Sequence, residues 1–109
     1  MAKPVSRVTL FKIPNVEDQQ KLAGLYRDMP TKAVKVLQKD GKPYICSVRA
    51  GPTKADTRNQ GYTFAAISVF NSVEDMVYYD NECAAHQELK GFAKSVNQGA
   101  MMVYFEDAL

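Results

Sequence analysis

The 109-residue sequence has no tryptophan, one histidine and two cysteines, and each scarcity closes off a class of function. With His86 as the sole imidazole and no Cys-x-x-Cys pair, the chain cannot assemble a Cys/His set that holds structural zinc. Cys46 and Cys83 stand far apart with no partner spacing, so they read as reduced, packed thiols of a cytoplasmic protein. No apolar run approaches the ~20 residues that cross a bilayer. Met1-Ala2-Lys3-Pro4 lacks the apolar stretch and cleavage site of a signal peptide. Charge of one sign is scarce too: 14 Lys and Arg against 12 Asp and Glu leave a net +2. These charges are interleaved along the chain, which describes a solvated surface and speaks against nucleic-acid or membrane partners. No glycine-rich loop opens a helix, so a phosphate cradle is not expected.

What is present is enough for one domain over 1–109, with 46% apolar residues to fill a single core. Val5 to Ile13 is rich in β-branched and aromatic residues and reads as a strand stopped by Pro14. Asn15 offers an N-cap to a helix whose Leu22, Leu25, Tyr26 and Met29 form one apolar stripe. Pro30 predicts a break or kink, after which Thr31 is placed to cap a short turn carrying Ala33, Val34 and Leu37. Asp40-Gly41 signals a turn into a second strand, Tyr44 to Ala50, and a polar stretch from Gly51 to Gly61 follows. Tyr62 to Phe70 is a third strand, nearly free of charge on both faces. Ser72-Val-Glu-Asp75 opens a second helix, weakened at Asp80-Asn81 and resuming near Cys83 with the stripe Ala85, Leu89, Phe92, Ala93 and Val96. Ala100 to Phe105 is the last strand. The order β-α-β-β-α-β is the ferredoxin-like α+β arrangement, a four-stranded antiparallel sheet with helices on one face. Apolar residues on both strand faces imply that a second copy covers the other face, giving a homodimeric α/β barrel.

Four stretches, in order, carry a resemblance to a known family. They are Arg7-Val-Thr-Leu-Phe-Lys12, Asp40-Gly-Lys-Pro-Tyr-Ile45, Gly61-Tyr-Thr-Phe-Ala-Ala66, and Ser72-Val-Glu-Asp-Met-Val-Tyr-Tyr79 followed by Ala84-Ala-His-Gln-Glu-Leu-Lys-Gly-Phe92. Together they resemble the stress-responsive dimeric α/β-barrel domain family, in particular its small fungal-type members. The resemblance implies a homodimer with a cleft between helices and sheet in each subunit. It also implies a relation to the plant olivetolic acid cyclase, which closes a linear polyketide by an intramolecular aldol reaction without metal or organic cofactor. That enzyme uses a histidine of the Ala-His motif, matched by His86, and a tyrosine shortly before it, matched near Tyr78 or Tyr79. The chain departs from many relatives at Arg7 and Phe64, where they keep histidines.

From the residues alone, His86 borders the apolar stripe of its helix and leans toward the helix–sheet cleft. An imidazole there can exchange a proton near neutral pH, and a tyrosine hydroxyl can stabilise the enolate left behind. The residues alone leave His86 open as a structural imidazole and Tyr78 and Tyr79 as packing; the resemblance implies the candidate catalytic set His86, Tyr79 and Tyr78. Arg7, Tyr26, Phe64, Leu89 and Phe92 are the candidate substrate-binding residues, with Arg7 suited to a carboxylate or polarised oxygen. No metal or cofactor is expected, since Glu82 and His86 at i, i+4 make too poor a ligand set. The resemblance implies an apolar, oxygenated small-molecule ligand and, as the expected reaction, a cofactor-independent cyclase or lyase step. The competing readings are a non-catalytic stress-response protein forming a stable oligomer and, on fold analogy alone, a cofactor-free monooxygenase.

Overall fold

Alternation and chain breakers set the boundaries of the elements. A computed structural model describes residues 3–32 and 44–109. Its elements are β1 (Val5–Phe11), α1 (Val16–Lys32), β2 (Ile45–Pro52), β3 (Phe64–Phe70), α2 (Val73–Glu82), α3 (Ala84–Val96) and β4 (Ala100–Phe105). The strands form one antiparallel sheet in the order β2-β3-β1-β4, the expected ferredoxin-like arrangement. Val5, Arg7 and Phe11 of β1 and Phe64, Ala66, Ser68 and Phe70 of β3 are buried on the helix side. The apolar ones, Val5, Phe11, Phe64, Ala66 and Phe70, pack with Leu22, Tyr26 and Met29 of α1 and Met76, Tyr79, Leu89 and Ala93 of α2 and α3 in one core.

The caps behave as the sequence predicts. Asn15 Oδ1 accepts from the backbone N–H of Glu17 at 2.8 Å and of Asp18 at 3.3 Å. Ser72 Oγ accepts from Asp75 N–H at 3.1 Å.

Pro30 does not break its helix. It sits inside α1, which runs on to Lys32. The ring of Pro30 removes only its own backbone N–H from the helix ladder. Thr31 correspondingly does not cap a new turn; its hydroxyl donates back to the Asp28 carbonyl at 2.9 Å. The turn expected over Ala33, Val34 and Leu37, and the Asp40-Gly41 signal, lie outside the described residues. The second helix also breaks later than expected: α2 continues through Asp80 and Asn81, and the extended residue is Cys83 (φ −82°, ψ 113°). That single non-helical residue ends α2 and starts α3, and it is the corner on which the site is built.

Candidate active site

The end of β1 is held in place by its neighbours. Ile13 N–H donates to Thr63 Oγ1 at 2.8 Å, and Gln19 Nε2 donates to the Ile13 carbonyl at 2.7 Å. Lys12 exchanges backbone bonds with Gly99 and Gln98, at 2.8 and 2.7 Å, which fixes where β4 begins. Between β1, β4 and the facing side of α3 a cleft of about 500 Å³ remains open. Apolar walls come from Phe11, Leu89, Ala93 and Met102. Polar groups come from Arg7, Tyr26, Asp80, His86, Lys90 and Lys94. A mostly apolar hollow with a few convergent polar groups is the usual form of a small-molecule site.

His86 stands in the first turn of α3 and is 4% exposed. Its Nδ1 lies 2.9 Å from the Tyr79 carbonyl. A carbonyl only accepts, so Nδ1 carries the proton, and in the neutral ring Nε2 keeps a lone pair. The imidazole also lies flat against the Tyr79 ring, with centroids 3.6 Å apart and planes 13° from parallel. Burial pulls the His86 pKa from 6.5 down to about 4, with Arg7 and Lys90 adding to the fall and the Tyr79 carbonyl and Asp80 opposing it. The positive end of α3 acts in the same direction. His86 is thus a neutral imidazole across the physiological range.

Arg7 is nearly as buried, at 5% exposure. Its Nη1 donates to both Asp80 oxygens at 2.8 Å. The guanidinium rests 5.2 Å from the Tyr79 ring centroid and 5.8 Å from that of Phe70. Asp80 Oδ1 is also 3.6 Å from His86 Nδ1. The Asp80 backbone carbonyl accepts from Gln87 Nε2 and Lys90 Nζ, each at 3.0 Å. One residue therefore ties β1, the end of α2 and the start of α3 together around the histidine.

The structure brings four of the sequence-derived residues into the cleft wall: His86, Arg7, Tyr26 and Leu89. The other four lie elsewhere. Tyr79 is 1% exposed and serves as the plate behind His86. Tyr78 packs edge-on against Tyr44 at 5.1 Å and does not line the cleft. Phe64, fully buried, underlies the floor by stacking on Tyr26 at 6.2 Å. Phe92 faces α1, where Lys21 Nζ sits 4.6 Å from its ring centroid. A helix turns about 100° per residue, so Tyr78 and Tyr79 cannot both face the histidine. The tyrosine that shares the cleft is Tyr26 of α1, whose burial raises its pKa from 10 to about 12, partly offset by Arg7. It is a hydroxyl donor throughout the physiological range.

Asp80 was missed by sequence reasoning, in which it registered only as a weak helix former. The available signal was electrostatic: an arginine predicted on a helix-facing strand position needs a buried carboxylate. Thr9, Asn97 and Met102 in the cleft wall gave no such signal.

This architecture and chain agree with a known family. The description "Stress responsive A/B Barrel Domain" matches residues 5–107, and the chain belongs to that family. A fusaristatin A biosynthesis cluster protein of Gibberella zeae is 42% identical over 105 residues, covering 96% of this chain and 73% of that protein. Hydroxynitrile lyase from Passiflora edulis shares the fold with a TM-score of 0.78 at 13% identity, over 98% of this chain and 95% of that one. A dimeric ferredoxin-like protein from Bacteroides fragilis does so with a TM-score of 0.73 at 16% identity, over 95% and 96%.

Proposed function

We propose that this protein is a small-molecule-binding barrel that acts as a cofactor-independent cyclase or lyase on an apolar, oxygenated, polyketide-like substrate. The observation that carries this reading is the fixed, neutral His86 with its Nδ1 proton committed to the Tyr79 carbonyl. Its Nε2 lone pair is left for a ligand in a cleft that also holds the Tyr26 hydroxyl. In the reaction, Nε2 takes a proton from a carbon next to a substrate carbonyl. The electron pair moves onto the carbonyl oxygen, where the Tyr26 hydroxyl and Arg7 meet the developing charge. The enolate carbon then bonds to a second carbonyl carbon of the same molecule, and His86 returns its proton to the new alkoxide.

A relative from a fusaristatin A biosynthesis cluster, at 42% identity, supports a role in small-molecule biosynthesis. In this reading the working unit is a homodimer, its partner being a second copy across the open sheet face. The apolar residues on that face and the dimeric fold neighbour support this pairing. Among the described residues no helix is long and apolar enough to cross a membrane. Among the same described residues no group of three His, Cys, Asp or Glu is placed to hold a metal.

The test compares wild type with His86→Ala on a panel of linear poly-β-ketone substrates. Wild type should give cyclised products at least ~100-fold faster than the variant, the usual range for a lost acid–base group. Equal product profiles from the two proteins would remove the enzyme reading and leave a binding or purely oligomeric role.

A further inference from the structure

The Arg7–Asp80 pair uses less of the guanidinium than its geometry allows. Arg7 has five N–H donors, and both bonds to Asp80 come from Nη1. Nε and Nη2 meet no acceptor among the described residues, although the side chain is 6% exposed. A buried guanidinium with unspent donors in the wall of an apolar cleft is an oxyanion site in waiting. The cleft's other cations, Lys90 and Lys94, add attraction for a negative group, while its one carboxylate, Asp80, is already paired.

A carboxylate placed on those donors changes the surroundings of the histidine. The groups facing His86 are Arg7 from β1, Tyr79 and Asp80 from α2, Lys90 from α3 and Tyr26 from α1. As the site stands, one buried cation is matched by one carboxylate. With Lys90 counted, the charged groups around the imidazole sum to +1, and a second carboxylate on the guanidinium brings that sum to zero and favours protonation of the ring. Resting on the reading of the cleft as a small-molecule site, we infer that it takes carboxylic acids, the anion seated on the spare donors of Arg7, where its charge raises the proton affinity of the neutral His86 imidazole. No bond to carbon is made or broken in this uptake, and His86 keeps its Nε2 lone pair for the reaction. The consequence for the reaction is direct. A carboxylate-bearing substrate strengthens the very base that acts on it, so neutral analogues of equal size bind without switching on the histidine.

Linkage makes the effect reciprocal: each pH unit by which a ligand raises the His86 midpoint is a tenfold preference of that ligand for the protonated protein. Because His86 is the sole histidine, its imidazole signals in an NMR pH titration report on it alone. The probes are hexanoate and its neutral counterpart hexanamide, added to the full-length protein. Hexanoate should bind at least tenfold tighter than hexanamide and raise the His86 midpoint by about one pH unit or more, whereas saturating hexanamide leaves it in place. Arg7→Lys keeps the charge and a partner for Asp80 but loses the fork, and should abolish both differences. Binding of hexanamide with no preference for hexanoate, or hexanoate binding with an unmoved midpoint, would overturn the proposal alone. Binding of neither probe would overturn the small-molecule reading of the cleft together with it.

Discussion

At the scale of single residues, His86 imposes a cost that the fold carries only because the ring stays neutral. Its pKa in the folded protein is about 4, against 6.5 when unfolded. The unfolded chain therefore takes up a proton first as pH falls, and stability drops between about 6.5 and 4 while remaining unaffected above that window. The full difference is on the order of 3 kcal/mol. His86→Gln keeps a donor for the Tyr79 carbonyl and cannot be protonated. Urea unfolding at pH 7 and pH 4.5 should show wild type losing about 2 kcal/mol more than this variant over that interval; equal losses would mean that the imidazole is solvated. This residue was legible in the sequence because a lone histidine on the margin of an apolar stripe has one direction in which to lean. Its setting was not. Whether Tyr78 or Tyr79 stands behind it depends on the helix phase set by Ser72, and the role of Asp80 depends on a contact with a residue 73 positions away.

Element by element, the pattern was more legible than the boundaries. Leu22, Tyr26 and Met29 are buried on α1 and Leu89 and Ala93 on α3, as their spacing required. The last strand also falls on Ala100–Phe105 as read from sequence. Periodicity reports which face is covered, and that is what survives tertiary packing. Ends are decided by particular hydrogen bonds instead. The proline expected to break or kink α1 lies inside it, with helical residues on both sides. The strand expected to reach Ile13 stops at Phe11, because Ile13 bonds to the Thr63 side chain rather than to a strand partner. That side chain gives a test at this scale. Thr63 Oγ1 accepts from Ile13 N–H and donates to its carbonyl, both at 2.8 Å. In Thr63→Val the carbonyl keeps Gln19 Nε2, but the Ile13 N–H loses its acceptor. The expected loss is about 1–2 kcal/mol in chemical denaturation. Gln98 and Gly99 pair with Lys12 next door, so hydrogen exchange at the start of β4 should quicken as well. A fully stable variant would show that the neighbouring backbone bonds suffice.

For the molecule as a whole, the sheet poses the remaining question, since helices cover only one of its faces. Alternation along β1 sends Arg7 and Phe11 to the helices and Val8 and Leu10 to the other side. The register continues that second set across the neighbours: Val8 lies opposite Ile67 and Val103, and Leu10 opposite Ala65 and Met101. Ile67, Met101 and Val103 are 41%, 46% and 54% exposed in one chain, and Phe105 at the end of the row is 51% exposed. A single isolated apolar residue on a surface needs no explanation, but a contiguous patch spanning three strands does. A second sheet stacked about 10 Å away buries such a row completely. Val103 is the residue to change, because it sits in the middle of the patch and takes no part in the cleft. A lysine in its place would put a charge between two sheets that have no partner for it, at a penalty of several kcal/mol in the assembly and almost none in a lone chain. Sedimentation of wild type should give twice the chain mass of 12.2 kDa, and Val103→Lys should give the chain mass itself with its helix signal intact. A variant that still sediments as a pair would place the contact elsewhere, and the β4 edge, exposed along its whole length, would then be the surface to examine.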